Sequence, residues 1–578
     1  MHVEVLHNVE ARMRDGVVLR SDVYLPEGGG KHHVLICRTP YDKTNISQLY
    51  DAKRIARRGY AVVIQDVRGA FASDGEYYPF LTCREDGYDT VEWAAAQPWS
   101  NGRVGMFGGS AMGITQWLAA VEAPPHLFAI APAVTASDLH DGWIYQSGAL
   151  LLGFALSWAI NLSRRWLETH KSELPPEKYA AWDKALADAT ANGSAHYLHL
   201  PLTNQPLLRD LARYYYEWLA HPSEDAYWKR WKIQDLHDRV KVPVFNLGGW
   251  YDIFIGGTMR NYAGMRERGG AAQSRSGTRL VVGPWFHGQG PTTLPEGWID
   301  VVHGASQQDV DMNGQWLRWM DHWLKGEANG VDRDAPVRVY TLGEKRWQDF
   351  PSWPPPNVDY QAWHFHSGGR ANTASGDGRL DRMAPEQEPR DDYIYDPADP
   401  APTAGGGLCC QPMMSFGGAY DQRPIEARND VLVYTSAPLE RDLEVTGPVV
   451  VKLWASTSAV DTDFTAKLVD VHPDGLAQNL CDNIARARYH KSPAKPVRLR
   501  SNRVYPYTID LYATSNLFKA GHRIRVEISS SNFPRFDRNL NTGGVNATES
   551  VGVRAQQHVY HDRLRPSHII LPVIPRSS

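Results

Sequence analysis

The sequence predicts an α/β core that is interrupted by a helical insertion and followed by an all-β domain. Short β-branched runs alternate with helical segments near the start, Trp- and Leu-rich helical stretches follow, and short alternating runs fill the region beyond Pro336. The 578 residues also exceed the roughly 250 to 300 that one hydrophobic core usually organises. Two or three domains are therefore expected.

The first region, residues 1–136, has the pattern of a parallel sheet with crossover helices. The runs HVLICR, YAVVIQDVRG and RVGMFG are typical of buried strands, and the segment DGYDTVEWAAAQ has a helical period. Strands that alternate with helices indicate βαβ units. We take this region as the first part of an α/β core.

The three remaining regions differ in the period with which hydrophobic residues recur along the sequence. Residues 137–237 lack strand-like runs and predict a helical cap inserted into the core. Strand-like runs return in VPVFNLGGWYD and TRLVVGPWFHG, so residues 238–335 are predicted to complete the core. In residues 336–578, Pro, Gly, Asp and Thr punctuate short alternating runs, which is typical of a β-sandwich of jelly-roll type.

Composition excludes several classes of partner. The chain has 61 Lys plus Arg against 65 Asp plus Glu, without a long block of one sign, so we expect no nucleic-acid partner. No apolar run reaches about 18 residues and the N-terminus has no export pattern, so we expect no membrane association and a cytoplasmic location. No HExxH, P-loop or dinucleotide motif occurs, and we expect neither a metal nor another cofactor.

The chain contains 5 cysteines without a CxxC pair. Adjacent Cys409 and Cys410 could close a disulfide, but cytosolic thiols usually stay reduced, so we expect free thiols in a core or a pocket.

The stretch RVGMFGGSAMG describes a strand, a tight turn and a helix around Ser110. In the nucleophile elbow of α/β-hydrolases, such a turn lifts a serine hydroxyl above the sheet, and glycines flank the serine because larger side chains would collide. Gly108 and Gly109 fit this pattern, whereas Gly113 lies three residues after the serine instead of the usual two. The alternative is a plain Gly–Ser turn in which the serine caps the helix.

An elbow serine needs a base and an orienting carboxylate, which in this fold follow it in the order acid, then histidine. Asp252 follows the apolar run VPVFNLGGWY, and His287 follows RLVVGPWF. Both lie just beyond the carboxyl end of a predicted strand, the edge at which catalytic groups of open α/β sheets collect. We therefore predict a catalytic triad of Ser110, Asp252 and His287.

Acyl transfer also needs two donors for the oxyanion of the tetrahedral intermediate. The first is predicted to be the backbone N–H of Ala111, the residue after the nucleophile. The second is predicted to be the hydroxyl of Tyr41, in the loop after an early strand. The alternative for Tyr41 is a half-buried loop residue.

Several motifs together resemble one family. RTPYDK, GGWYDIF, LVVGPWFH and SSSNFPRFDRNLNTGG are similar to segments of the CocE/NonD-type acyl hydrolases, the bacterial cocaine esterase family. The X-Pro dipeptidyl-peptidases and the α-amino acid ester hydrolases are wider kin. The resemblance implies an α/β-hydrolase core with a helical cap insertion and a C-terminal jelly roll, together with the triad and the oxyanion donors named above.

The resemblance also implies an aromatic acyl pocket and shows two departures. The implied substrate-binding residues are Trp143, Trp158, Trp166, Phe254 and Leu408. The family usually has tyrosine where this chain has Ala111, which predicts a wider pocket floor. The acidic residues with which α-amino acid ester hydrolases bind a substrate ammonium are replaced here by Ile253 and Phe254, so recognition of a free amino group is not expected.

The sequence thus predicts a serine esterase for small, largely neutral esters, including esters of aromatic acids. The expected partner is a small-molecule ester. The sequence leaves undecided whether the chain forms a homodimer. The alternatives are an amidase, acylase or X-Pro dipeptidyl-peptidase of the same family, which would use the same triad, and a noncatalytic ligand-binding protein.

Overall fold

The computed structural model describes residues 2–288, 295–410 and 416–576. The described residues form a ten-stranded sheet with the order β1-β2-β4-β3-β5-β6-β7-β8-β9-β10. Its strands are β1 (Val3–Arg12), β2 (Val18–Pro26), β3 (His32–Thr39), β4 (Tyr60–Asp66), β5 (Ser100–Gly109), β6 (Leu127–Ala133), β7 (Phe245–Tyr251), β8 (Arg279–Phe286), β9 (Val337–Thr341) and β10 (Arg346–Phe350).

The centre of this sheet is parallel, and antiparallel strands lie only at its two edges. Strands β3 to β9 pair in parallel, β1 and β2 form an antiparallel edge, and β10 pairs antiparallel with β9. Every residue of β4 is buried, because helices cover both faces of a parallel sheet. The predicted α/β class of the core is confirmed, and the carboxyl ends of β5, β7 and β8 lie at one edge.

The helices follow the strands in βαβ order. They are α1 (Lys43–Leu49), α2 (Ala52–Arg57), α3 (Cys83–Ala95), α4 (Ala111–Ala120), α5 (Leu152–Thr169), α6 (Pro176–Ala191), α7 (Gly193–Leu198), α8 (Pro206–Leu211), α9 (Arg213–Ala220), α10 (Ile255–Arg268), α11 (Ala272–Gly277), α12 (Met312–Met320) and α13 (Arg423–Glu426). Helices α5 to α9 lie between β6 and β7, in the stretch where the sequence predicts an inserted helical region. Among the described residues, no helix is both long and apolar enough to cross a membrane.

Short helical turns and two-residue strands complete these elements. The turns are Lys171–Glu173, Lys229–Trp231, Ile233–Asp235, His237–Arg239, Asp321–Lys325, Val331–Arg333, Ala487–Tyr489 and Asn546–Thr548. The strand pairs are Tyr145–Gln146 with Ala149–Leu150, and Trp298–Ile299 with Ala419–Tyr420.

The C-terminal part is rich in strands, which confirms its predicted class. Its sheet has twelve described strands. They are Asp359–His366, Arg379–Asp381, Asp391–Tyr395, Leu432–Thr435, Leu443–Thr457, Asp463–Val471, Ala477–Arg486, Tyr505–Phe518, Arg523–Ser529, Ala555–Asp562, Arg565–Pro566 and His568–Ile574.

The boundary between the two sheets does not lie at residue 336, where the change in the hydrophobic period of the sequence predicts it. Strand β9 pairs in parallel with β8, and β10 pairs with β9, so the first sheet extends to Phe350. The difference arises because a short edge hairpin has the same alternating period as the strands of the C-terminal sheet.

Buried hydrogen bonds join the strand-rich domain to the rest of the chain. The hydroxyl of Tyr251, at the end of β7, donates to the Asn479 carbonyl at 2.9 Å. The Leu150 N–H, just before α5, donates to Asp537 Oδ1 at 2.9 Å, and the buried Arg486 guanidinium donates to the same oxygen at 2.8 Å. Both the α/β core and the helical insertion are therefore anchored on the C-terminal domain.

We expect a chain that ends at Pro354, which keeps all ten strands of the first sheet, to be insoluble or molten. Removing the C-terminal domain exposes buried aromatic surface such as Tyr251 and leaves its hydroxyl without an acceptor. Size-exclusion chromatography and near-UV circular dichroism of the truncated chain, beside the full chain, test this. A monodisperse fragment with a native near-UV spectrum contradicts it.

Candidate active site

Ser110 lies on a strained turn between β5 and α4. Its backbone has φ 60° and ψ −126°, a conformation that L-residues rarely adopt. The Ser110 N–H donates to the Ala133 carbonyl at 2.9 Å, and its carbonyl accepts from Thr135 Oγ1 at 2.8 Å. These two bonds hold the turn from the neighbouring strand β6 and the loop after it.

Neighbouring side chains lie so close to the backbone around Ser110 that only glycine fits at two positions. A Cβ at Gly108 would lie 2.8 Å from Met112 Cβ, and a Cβ at Gly113 would lie 2.7 Å from Thr135 Cβ. Thr135 is the residue that bonds the Ser110 carbonyl. The glycine three residues after the serine therefore makes room for the side chain that supports the elbow.

The structure brings Ser110, Asp252 and His287 together. His287 Nδ1 donates to Asp252 Oδ2 at 2.7 Å, and Ser110 Oγ lies 3.0 Å from His287 Nε2. The other carboxylate oxygen of Asp252 accepts the Phe254 N–H at 2.7 Å, and Asp252 is 1% exposed. A dry carboxylate of this kind fixes the imidazole so that Nε2 is free to accept the serine proton.

Both predicted oxyanion donors follow strands of the same edge. Ala111 is the first residue of α4, and the first N–H groups of a helix have no acceptor within it. Tyr41 follows β3, the parallel neighbour of β5, and its hydroxyl oxygen accepts from Trp158 Nε1 at 2.9 Å. Because its oxygen accepts that bond, the hydroxyl proton of Tyr41 is available to a further acceptor.

Burial raises the pKa of Tyr41 to about 12, although the Trp158 N–H and the nearby Arg165 guanidinium oppose the shift. Arg165 lies 4.8 Å above the Tyr41 ring. The hydroxyl therefore stays protonated, and remains a donor, at neutral and moderately alkaline pH.

An aromatic cluster extends from the base into the helical insertion. The Phe254 ring meets the His287 ring edge-on at 5.1 Å and stacks on Trp143 at 4.3 Å. Trp143 in turn contacts Trp158 at 5.4 Å, and Phe154 stacks on Trp158 at 5.6 Å. Phe154 was not predicted as a site residue, although its position one helical turn before Trp158 on α5 was an available signal.

Trp166 is not among the described rings in contact with this cluster. It stacks on His170 at 4.3 Å and meets Trp182 edge-on at 6.4 Å. Trp166 follows Trp158 by more than two helical turns, so their backbone positions lie about 12 Å apart along the axis of α5. The pocket role that the resemblance gives Trp166 stays a prediction.

Leu408 belongs to a segment of the C-terminal part that packs on the backbone of Asp252. It is 1% exposed, and a Cβ on its neighbour Gly407 would lie 3.1 Å from the Asp252 carbonyl oxygen. Cys409 is also buried, within the same hydrophobic cluster as Ile253 and Phe254.

A disulfide joins Cys409 and Cys410, so the expectation of free thiols at these positions is wrong for this structure. The cellular compartment affects all thiols alike, whereas the chain itself holds the sulfur atoms of two adjacent residues close together. Cys37, Cys83 and Cys481 are free and buried.

Comparison with known proteins gives matches over both parts of the chain. Residues 15–289 match the family model X-Pro dipeptidyl-peptidase (S15 family), and residues 329–570 match the X-Pro dipeptidyl-peptidase C-terminal non-catalytic domain. Cocaine esterase from Rhodococcus sp. (strain MB1 Bresler) is 39% identical over 582 residues, with 99% of both chains covered.

Two solved structures are similar along the whole chain. An aminopeptidase from the marine sediment archaeon Thaumarchaeota archaeon is 26% identical with a TM-score of 0.79, covering 99% of this chain and 96% of that one. An α-amino acid ester hydrolase is 25% identical with a TM-score of 0.79, covering 99% and 97%.

We expect Tyr41 to stay un-ionised up to about pH 11, because burial raises its pKa to about 12. Ultraviolet titration of the wild type minus that of Tyr41→Phe isolates this one phenol. The difference spectrum should lack a tyrosinate band below about pH 11 wherever circular dichroism shows the fold intact. A tyrosinate band that titrates near the usual value of about 10 contradicts the placement of Tyr41.

Proposed function

The chain belongs to the cocaine esterase family and is a serine ester hydrolase, and we propose that it cleaves small, largely neutral carboxylic esters through an acyl-enzyme at Ser110. One observation carries the proposal: a continuous chain of hydrogen bonds from Asp252 through His287 to the Ser110 hydroxyl. This chain supplies the base and the orientation that an otherwise inert hydroxyl needs.

In the proposed first half-reaction, Ser110 Oγ attacks the ester carbonyl while His287 Nε2 takes the serine proton. The buried Asp252 carboxylate stabilises the imidazolium through the bond at Nδ1. The Ala111 N–H and the Tyr41 hydroxyl bind the developing oxyanion. Collapse of the intermediate breaks the ester C–O bond, and the proton on Nε2 passes to the leaving alcohol.

The second half-reaction uses the same groups with water in place of the alcohol. His287 takes a proton from the water as it attacks the acyl carbon, and the proton returns to Ser110 Oγ when the carboxylic acid leaves. Each proton taken up by Nε2 is therefore released within its half-reaction.

The aromatic cluster favours substrates whose acyl group is flat and apolar. Trp143 and Phe254 stack next to the base, and Trp143 Nε1 is a buried donor without a partner among the described residues. The residues directly after the triad aspartate, Ile253 and Phe254, are apolar and buried. These features favour a neutral ester over substrates that carry a free amino group, such as X-Pro peptides.

We further propose that α5 to α9 act as a cap over the acyl site and that the C-terminal strands form a jelly roll. Support for the cap comes from α5, which carries Phe154 and Trp158 to the ring cluster and to the Tyr41 hydroxyl. Support for the second proposal comes from the long antiparallel pairing of Leu443–Thr457 with Tyr505–Phe518.

We expect Ser110→Ala to fold normally and to lose ester hydrolysis by about 10⁶-fold, because a triad acts as a unit. Initial rates on a p-nitrophenyl ester measure the loss, and mass spectrometry after treatment with an organophosphate locates the adduct. The wild type should carry it on Ser110. Ser47→Ala, in α1, is the matched control and should keep full activity. An adduct on another serine, or activity within tenfold of wild type, overturns the assignment.

We expect Tyr41→Phe to lower kcat by about 100 to 1,000-fold, because one preorganised oxyanion donor is lost. KM should change little, since the ring and its packing remain. Tyr262→Phe is the control, because the buried Tyr262 hydroxyl has no partner among the described residues, and its kcat should match the wild type. Near-normal turnover by Tyr41→Phe would make Tyr41 a loop residue without a catalytic role.

A further inference from the structure

Two imidazoles and a carboxylate meet at one end of the C-terminal sheet, outside the active site. One donor atom each from Asp470, His472 and His522 lies within 4.8 Å of the others. The strands Asp463–Val471 and Arg523–Ser529 pair antiparallel with Val471 opposite Arg523. The register therefore places His472 and His522 side by side where the two strands end.

The three side chains lie close together, and among the described residues the ring nitrogens of His472 are free to bind an ion. His522 Nδ1 lies 2.8 Å from Asp470 Oδ1, and the His472 ring lies 4.5 Å from the His522 ring. Within the part of the chain that the structure describes, no hydrogen bond or ion pair engages the ring nitrogens of His472. His472 is half-buried, so solution can reach the group from its side.

A neighbouring amide orients the carboxylate. Asn516 Nδ2 donates to Asp470 Oδ2 at 3.0 Å, and Asn516 is fully buried. Partners of this kind fix ligating carboxylates in metal sites.

We propose that Asp470, His472 and His522 bind a divalent transition-metal ion of the Zn²⁺ class. Two imidazole nitrogens and one carboxylate oxygen form a donor set that Zn²⁺ uses, with water completing the coordination. Zn–N bonds of about 2.0 Å set tetrahedral ligands about 3.3 Å apart, so small side-chain rotations close the group. The ion takes the place of the hydrogen bond between His522 Nδ1 and Asp470 Oδ1, and the neutral His522 then carries its proton on Nε2.

Charges around the group leave it favourable for a cation. The Asp470 carboxylate and the exposed Asp474, in the turn after His472, attract a positive ion, whereas Lys519 opposes it. A bound ion would connect the turn at residues 472–476 to the turn at residues 519–522. The first turn leads into the strand whose Asn479 carbonyl accepts the Tyr251 hydroxyl, so the ion would stabilise the domain that supports the triad aspartate.

The test uses the full chain after dialysis against a chelator, with Zn²⁺ titrated against a chromophoric competitor. The wild type should bind one Zn²⁺ at this site, and Co²⁺ in its place should give the visible absorption of a tetrahedral complex. His472→Phe keeps the ring contact and should weaken Zn²⁺ binding at least tenfold, and Asp470→Asn should do the same. Zn²⁺ should raise the melting temperature of the wild type but not of His472→Phe.

The matched control is His364→Phe. His364 faces His568 at 5.2 Å between ring centres, a histidine pair that is not part of the three-residue group, and its loss should leave Zn²⁺ affinity unchanged. Equal affinity and stoichiometry in the wild type and His472→Phe overturn the proposal, as does the absence of a saturable site in the wild type. Ester hydrolysis by the metal-free variants should remain near that of the wild type, so failure here is distinct from failure of the triad assignment.

Discussion

The buried Asp252 is the constraint on which the rest of the site depends, because the α/β core binds its carboxylate and the C-terminal domain packs on its backbone. Its two oxygens accept from His287 and from the Phe254 N–H. The residue before it is bonded to Asn479 of the C-terminal domain, and Gly407 packs against its carbonyl. A buried charge without hydrogen-bond partners would be costly, and the contact between the domains helps to hold Asp252 where its partners reach it.

The elbow shows how backbone strain is kept in place by packing. A positive φ at Ser110 costs about 1–3 kcal/mol, and it persists because Ala133 and Thr135 bond its backbone from the adjacent strand and loop. Thr135 fits only because Gly113 has no side chain. The glycine three residues after the serine therefore has a packing reason of its own.

The sequence was sufficient to predict the α/β class, the strand-rich C-terminal part and three residues that do meet. The carboxyl ends of parallel strands lie at the same edge of a sheet. The positions of Ser110, Asp252 and His287 directly after apolar runs were therefore enough to predict that these residues meet. Side-chain contacts between distant segments could not be predicted in this way. The pairing of β9 with β8, the ring contacts of Phe154 and the meeting of His472 with His522 all depend on packing that periodicity does not encode.

In the proposed mechanism, the aromatic cluster joins substrate selection to the position of the base. Phe254 contacts the His287 ring on one side and stacks on Trp143 on the other, and Trp143 contacts Trp158, which bonds the Tyr41 hydroxyl. The base and one proposed oxyanion donor are therefore linked through the same rings that would receive the acyl group. Because interiors of this kind are close-packed, a substitution that enlarges the acyl site also moves its catalytic neighbours. In the proposed mechanism, specificity and turnover are accordingly properties of one packed unit, shared between the α/β core and the helical insertion.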